Sequence, residues 1–222
     1  MLRPPHESVV TRTYAASDEE ALSEALRALR CGELVVFPTD TVYGVGCDLW
    51  QIEAVERLYW AKQRPANMAI PILVSGPAQV MQVASEIPAL FTPLVERHWP
   101  GGLSIVLRRR ALVPDILCAG RDTVAVRMPA HPLALRLIAG MGGVLGVTSA
   151  NLSGRQAART VQEALAGLKG RVAIALDGGP CPGGVASSIV DLTADPPTLL
   201  RQGALDANTL REVLPALVVP RQ

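Results

Sequence analysis

Three short runs carry side chains able to do polar chemistry. Lys62-Gln63-Arg64-Pro65 places two cations two residues apart, where a helical pattern gives out. Outside a helix such a pair can converge on one anion, and a guanidinium can hold two oxygens of a phosphate or carboxylate at once. The same pair also suits a plain helix C-terminus, where cations interact favourably with the macrodipole. Ser149-Ala150-Asn151-Leu152-Ser153-Gly154 follows the apolar run Val144–Thr148 and precedes a helix. In an α/β sheet, ligands bind outside the carboxyl ends of strands, and Ser and Asn offer donors and acceptors to orient them. An Asx- or ST-type turn capping the next helix is the other reading. The third run, Glu33–Leu49, passes from the apolar Leu34–Phe37 through Pro38 into Thr39-Asp40-Thr41, Tyr43, Gly44 and Gly46. Hydroxyls there can bond a polar ligand, and glycine lets backbone approach it. A strand, a turn and a second strand with no ligand accounts for the same residues.

Other features carry less. Thr123–Arg127 ends a strand-like run in arginine, placed either for a carboxylate or as a surface charge, and His131 reads as a helix-start residue. The glycine-rich Gly178–Gly184 lacks the P-loop spacing and leads into a strand. Gly44-Val45-Gly46 has no third glycine for a dinucleotide fingerprint, and Gly140-Met141-Gly142-Gly143 precedes a strand, the wrong order for one. Arg108-Arg109-Arg110 reads as a solvated strand end rather than a contact to RNA phosphates. The four cysteines form no CxxC pair and the three histidines lie far from them. That spacing argues against a structural zinc site or a disulfide framework and for buried, reduced thiols.

These runs need a scaffold, and the chain has the material for one. It has 222 residues, 49% hydrophobic, with a net charge of +1, so a basic site must be local. The 21 basic residues are 19 arginines and only two lysines, Lys62 and Lys169. No leader-like or membrane-spanning run is visible, which predicts a cytoplasmic protein. Residues 1–16 read as an irregular lead-in with a short strand near Val9–Tyr14. Ser17-Asp18-Glu19-Glu20 forms a capping box for a helix that Gly32 stops. Helices are expected over Ile52–Lys62, Pro77–Ala84, Pro88–His98, His131–Ala139, from about Thr160, and over Asp206–Leu214. Strands are expected at Leu34–Phe37, Ala69–Val74, Leu103–Arg109, Thr123–Arg127, Val144–Thr148, Val172–Leu176, Ser188–Leu192 and Thr198–Leu200. Strands and helices interleave without a break in composition, which predicts one α/β domain with a mixed sheet over 17–205, followed by a C-terminal helix and tail over 206–222.

Taken in order, Pro38-Thr39-Asp40-Thr41-Val42-Tyr43-Gly44, Lys62-Gln63-Arg64-Pro65, Trp99-Pro100-Gly101, Thr123–Arg127 with His131-Pro132, Ser149–Gly154 and Ser187-Ser188-Ile189-Val190-Asp191 resemble the YrdC-type threonylcarbamoyl-AMP synthase family. The resemblance runs from about residue 15 to about 204. It implies the single-domain form, since longer members carry an additional C-terminal domain, and a twisted mixed sheet around a basic cavity. It also implies an activity that joins L-threonine, bicarbonate and ATP into L-threonylcarbamoyl-adenylate, releasing pyrophosphate. A separate threonylcarbamoyl-transferase complex then acts on the adenosine beside the anticodon in tRNA.

By motif position, threonine would meet Thr41, Arg127, Ser149 and Ser187. ATP would meet Lys62, Arg64, Thr123, Asn151, Arg159, Thr160 and Arg201, with Lys62 and Arg64 the catalytic cations and Mg2+ arriving with the nucleotide. Three positions depart from the family pattern: Asn67-Met68-Ala69 after the KxR pair, Ala186 where a glutamate is usual, and Asp40 for the commoner Glu. The competing classes are a carbamoyl-adenylate-forming domain and a non-enzymatic RNA-binding module. Aromatic content of 4% and the near-neutral charge weigh against the latter.

Overall fold

The computed structural model describes residues 9–220. Residues 1–8 of the lead-in and the last two residues of the tail lie outside the described residues. Ten strands join in one mixed sheet: β1 (Arg12–Ala15), β2 (Val35–Phe37), β3 (Gly44–Cys47), β4 (Ile72–Val74), β5 (Leu103–Arg108), β6 (Thr123–Arg127), β7 (Val144–Ser149), β8 (Ile174–Asp177), β9 (Ser188–Asp191) and β10 (Thr198–Arg201). Their spatial order is β1-β8-β2-β3-β7-β4-β6-β5-β9-β10. The helices are α1 (Glu19–Arg30), α2 (Ile52–Lys62), α3 (Phe91–His98), α4 (Pro132–Gly140), α5 (Val161–Leu168) and α6 (Ala207–Arg211). Part of the lead-in is therefore built into the sheet: β1 runs parallel to β8, with Tyr14 opposite Leu176.

Local chemistry sets the element ends. Helix α1 is capped one residue later than the Ser17 box predicts, because the Asp18 carboxylate accepts the Glu20 N–H at 3.0 Å. Its buried stripe is Ala21, Ala25 and Leu29, spaced four apart. The segment expected as a helix over Pro77–Ala84 is a 3-10 turn over Pro77–Gln82, and α3 starts only at Phe91. The last helix is shorter than its pattern, five residues in place of nine. Helix α2 ends where Gln63 turns left-handed, with φ of 51°. That single turn sends the chain between Lys62 and Arg64 in a new direction.

The sheet buries both faces, but unevenly. On one face Val36, Val45, Ile72, Ile105, Val126 and Val190 join a core completed by α2, α3 and α5. On the other, Val35, Phe37, Leu145 and Val147 pack against Ala25 and Leu29 of α1 and Leu133 and Leu137 of α4. These two helices cover the β8-β2-β3-β7 part of that face. Where they stop, beside Leu73 and Val147, the sheet face continues as the wall of a cleft. Three of the cysteines are buried free thiols as expected, while Cys31 is exposed.

Gly44 and Gly46, expected in a binding loop, sit inside β3, paired with Phe37 and Val35. A Cβ on Gly46 would lie 2.9 Å from Leu145 Cδ2 and 3.0 Å from the Phe37 ring, so this glycine leaves room for side chains of the two neighbouring strands, β2 and β7. Gly46→Ala is expected to cost about 1–3 kcal/mol by overpacking, read as a lower urea midpoint with the slope unchanged.

Candidate active site

The cleft has a volume of about 260 Å3. Each wall comes from the end of an element: Thr39 and Thr41 from the β2–β3 turn, Lys62 and Arg64 from the end of α2, and Arg127 from the last position of β6. Ser149 and Asn151 come from the end of β7, Ser187 from the turn before β9, and Arg201 from the end of β10. Among the described residues four cations line it and no carboxylate does.

Arg127 is the best-held of the four. Its side chain is 8% exposed and forms an ion pair of 2.6 Å with Asp40. Nε donates to Gly101 O at 2.8 Å, Nη1 to Thr41 Oγ1 at 2.9 Å and Nη2 to Asp40 Oδ1. The same Asp40 oxygen accepts the Ala130 N–H at 3.0 Å. Burial lowers the arginine's pKa, and Asp40 raises it back in part. Thr39 and Thr41 both point inward and share a 3.1 Å bond. The Thr39 hydroxyl is turned to its own loop, donating to Val42 O and accepting the Thr41 N–H, so it shapes the turn that presents Thr41.

Lys62 is 1% exposed, one of the largest fully buried side chains in the protein. Its Nζ donates to Ser149 O and to Asn151 O. Burial, and next the nearby Arg64, push its pKa down to about 7. The Arg64 guanidinium donates to Met68 O and Ala69 O. Position 67–69, the departure from the family pattern, therefore supports Arg64 through main-chain oxygens that any side chains would leave in place. Arg201 donates twice to Ser187 O, at 3.0 and 2.8 Å, and once to Ser187 Oγ at 3.2 Å. Burial, then the charge of Arg127, lowers its pKa. Asn151 donates through Nδ2 to Leu152 O and Arg155 O, while its Oδ1 is buried without a protein partner, as is Ser153 Oγ. Free acceptors beside a cluster of cations suit a ligand that carries both anionic groups and donors.

Of the residues expected at a site, the cleft brings together Thr41, Lys62, Arg64, Arg127, Ser149, Asn151, Ser187 and Arg201. Thr123 shares the cleft-facing side of β6 with Arg127 but lies four residues upstream, roughly 13 Å along the strand and outside the lining. Arg159 and Thr160 also lie outside it. Thr160 caps α5, accepting the Glu163 N–H at 3.2 Å, and the exposed Arg159 donates its backbone N–H to Glu163 Oε2. His131 occupies the residue before α4, a helix-start position.

One contributor escaped the motif reading. Ser104, a lone polar residue in the buried run Leu103–Leu107, bonds Ser187 Oγ at 2.8 Å; that isolated hydroxyl was its only signal. Among the described residues no group of three or more His, Cys, Asp or Glu side chains is placed to hold a metal ion. None of their helices is long and apolar enough to cross a membrane.

The fold and cleft define an α/β protein with a cation-lined polar site on the uncovered part of a mixed sheet. A family model for Sua5, YciO and YrdC proteins, described as "Telomere recombination", matches residues 27–203. A threonylcarbamoyl-AMP synthase of Pyrococcus abyssi is 40% identical over 93% of this chain and 61% of its own length. A putative threonylcarbamoyl-AMP synthase of Mycobacterium tuberculosis is 36% identical over 92% of this chain and 96% of its own length. The crystal structure of P. abyssi Sua5 complexed with L-threonine superposes with a TM-score of 0.89 at 36% identity, covering 96% of this chain and 62% of that one. The chain belongs to the Sua5/YciO/YrdC family. It spans about three fifths of the P. abyssi relative and nearly the whole of the mycobacterial one.

Asp40→Ala would leave the Arg127 charge buried without its counter-ion. The expected cost is about 3 kcal/mol, the lower end for breaking a buried pair, because Thr41 and Gly101 still accept from the guanidinium. Chemical denaturation measures it directly.

Proposed function

We propose that the chain is an L-threonylcarbamoyladenylate synthase, converting L-threonine, bicarbonate and ATP into L-threonylcarbamoyl-AMP, pyrophosphate and water. The observation that carries this reading is a cleft in which, among the described residues, four cations and no carboxylate stand beside inward-facing hydroxyls. The named relatives and the threonine-bound P. abyssi structure support it.

The chemistry divides between the two sides of the cleft. Arg127 commits three of its five N–H groups to protein acceptors, leaving one on each Nη for a substrate carboxylate. Thr41, Ser149 and Ser187 supply hydroxyls for the rest of the amino acid. The amine attacks bicarbonate carbon, water leaves, and the resulting carbamate oxygen attacks the α-phosphorus as pyrophosphate departs. Lys62 and Arg64 face the charge that grows on the phosphates, and Asn151 and Arg201 complete the nucleotide side. Catalysis here is positioning plus electrostatic stabilisation, which needs fixed cations more than a nucleophile. Magnesium enters as part of MgATP. The product passes to a separate transferase complex that modifies the adenosine beside the anticodon in tRNA, in the cytoplasm.

Pyrophosphate release from ATP is expected only when threonine and bicarbonate are both supplied; release indifferent to threonine overturns the proposal. Arg127→Ala and Ser149→Ala should raise the threonine requirement, and Arg64→Ala the ATP requirement, each by about tenfold or more. Full turnover in all three would unseat the residue roles.

A pH effect follows from Lys62, whose pKa of about 7 leaves it mostly neutral at pH 8. A triphosphate alongside favours the ammonium and raises that pKa. ATP binding at pH 8 is therefore expected to take up protons, seen as a binding enthalpy that changes with buffer ionisation enthalpy. The uptake should shrink towards pH 6, where Lys62 is already charged, and vanish in Lys62→Met.

A further inference from the structure

Lys62 is buried more completely than a side chain waiting for a phosphate needs to be. At 1% exposure it lies within the protein, and both of its ends are tied to the same turn. Its Nζ donates to Ser149 O and Asn151 O, and its own carbonyl accepts the Ser153 N–H at 2.9 Å. One residue at the end of α2 thus contacts three alternate positions of the turn after β7.

The rest of that turn is thinly held. Ala150 N donates to Tyr43 O at 2.8 Å, which anchors its start beside β3. The Asn151 N–H reaches back to Ser149 O at 3.0 Å, and the Asn151 amide nitrogen donates to Leu152 O within the turn and to Arg155 O just beyond it. A buried amine nitrogen, charged or neutral, needs acceptors for its N–H groups, and these two carbonyls can converge on it only if the backbone between them is folded back. The left-handed Gln63 makes the same arrangement possible from the other side: it ends α2 at Lys62 and turns Arg64 away to Met68 O and Ala69 O.

We propose that Lys62 is a positioning residue for the Ser149–Ser153 turn, fixing through protein hydrogen bonds the backbone that aims Ser149 and Asn151 into the cleft. It does so whether or not nucleotide is bound. This goes beyond a phosphate contact, because it makes one cation serve the threonine side of the cleft as well as the ATP side. The consequence for substrate binding rests on the function proposed above; the consequence for the turn does not.

The experiment uses the full chain as Lys62→Met, which keeps the apolar stem and removes the donors, and as Lys62→Gln, which keeps an amide donor. Amide hydrogen exchange of the protein alone reads the turn. Exchange at Ala150 through Arg155 should be faster in Lys62→Met and intermediate in Lys62→Gln, with α1 and α4 unchanged. Equal exchange in that segment for wild type and both variants overturns the proposal. So does acceleration spread evenly over the whole chain, which marks a role in general stability only.

Calorimetric titration with threonine in the absence of nucleotide, well below the melting temperature, forms the second arm. Threonine affinity should fall by about tenfold or more in Lys62→Met, the equivalent of losing one well-made polar contact. An unchanged threonine affinity beside a weakened ATP affinity returns Lys62 to a phosphate contact alone. Should wild type fail to bind threonine, the proposed function falls, and the exchange measurement still decides whether Lys62 holds the turn. Should Lys62→Met not fold, Lys62→Gln carries both arms.

Discussion

A guanidinium cannot leave water unless its N–H groups find oxygens, and that requirement at Arg127 governs much of this molecule. The three acceptors that meet it come from separate places: Asp40 and Thr41 from the β2–β3 turn, and Gly101 from the turn before β5. Satisfying one side chain therefore draws two loops towards the end of β6. Asp40 extends the tie to the backbone at Ala130, just ahead of α4. The charge is kept because its counter-ion stays beside it, and the geometry is kept because the guanidinium leaves the end of β6 and meets acceptors in two short turns anchored by strands.

A second constraint comes from the uneven cover of the sheet. Helices α1 and α4 seal one half of a face with Leu, Ala and Ile, and among the described residues no helix extends that layer past Leu73 and Val147. The remaining face would be an exposed apolar surface if it carried the same residues. It carries Ser104, Arg127 and Ser149 in their place, and cations from α2 and β10 close the sides. Burial lowers the pKa of all four cations, and of these four only Arg127 has a carboxylate partner among the described residues. Such a group of partly desolvated positive charges is costly to hold together and favours an anionic ligand for the same reason.

Much of the architecture was legible in the residues. The strand Thr123–Arg127 has the boundaries its alternation indicates, and α2 spans Ile52–Lys62 as its pattern indicates. Legibility failed where a local pattern has two physical uses. Gly44 and Gly46 read as a ligand-approach loop, and Gly44 does line the cleft, but at Gly46 glycine instead permits tight packing of a strand beneath Phe37 and Leu145, and contacts distant in sequence chose that use. The Ser17 box and the Asp18 cap compete for the same helix start within one residue. The late helix over Asp206–Leu214 ends at Arg211 and closes in a turn, with Glu212 still in helical geometry and the Leu214 N–H on Leu210 O, ahead of the Val218 main chain that pairs with Thr198 and Leu199.

What the sequence alone determined is the inventory: an α/β chain with a near-neutral surface, cations and hydroxyls gathered at strand and helix ends, and a motif order that marks one family. Those follow from side-chain chemistry and short-range periodicity, which need no long-range contact to be read. The tertiary structure decided which of those side chains meet. Thr123 and Arg127 share one face of one strand, yet only Arg127 reaches the cleft; Lys62 and Arg64 are neighbours in sequence, yet one is buried against Ser149 and Asn151 and the other turns to Met68 and Ala69. Distance along a strand, a single left-handed residue and the reach of the covering helices fix those outcomes. Each is a property of the assembled sheet, and none is carried by the residues one at a time.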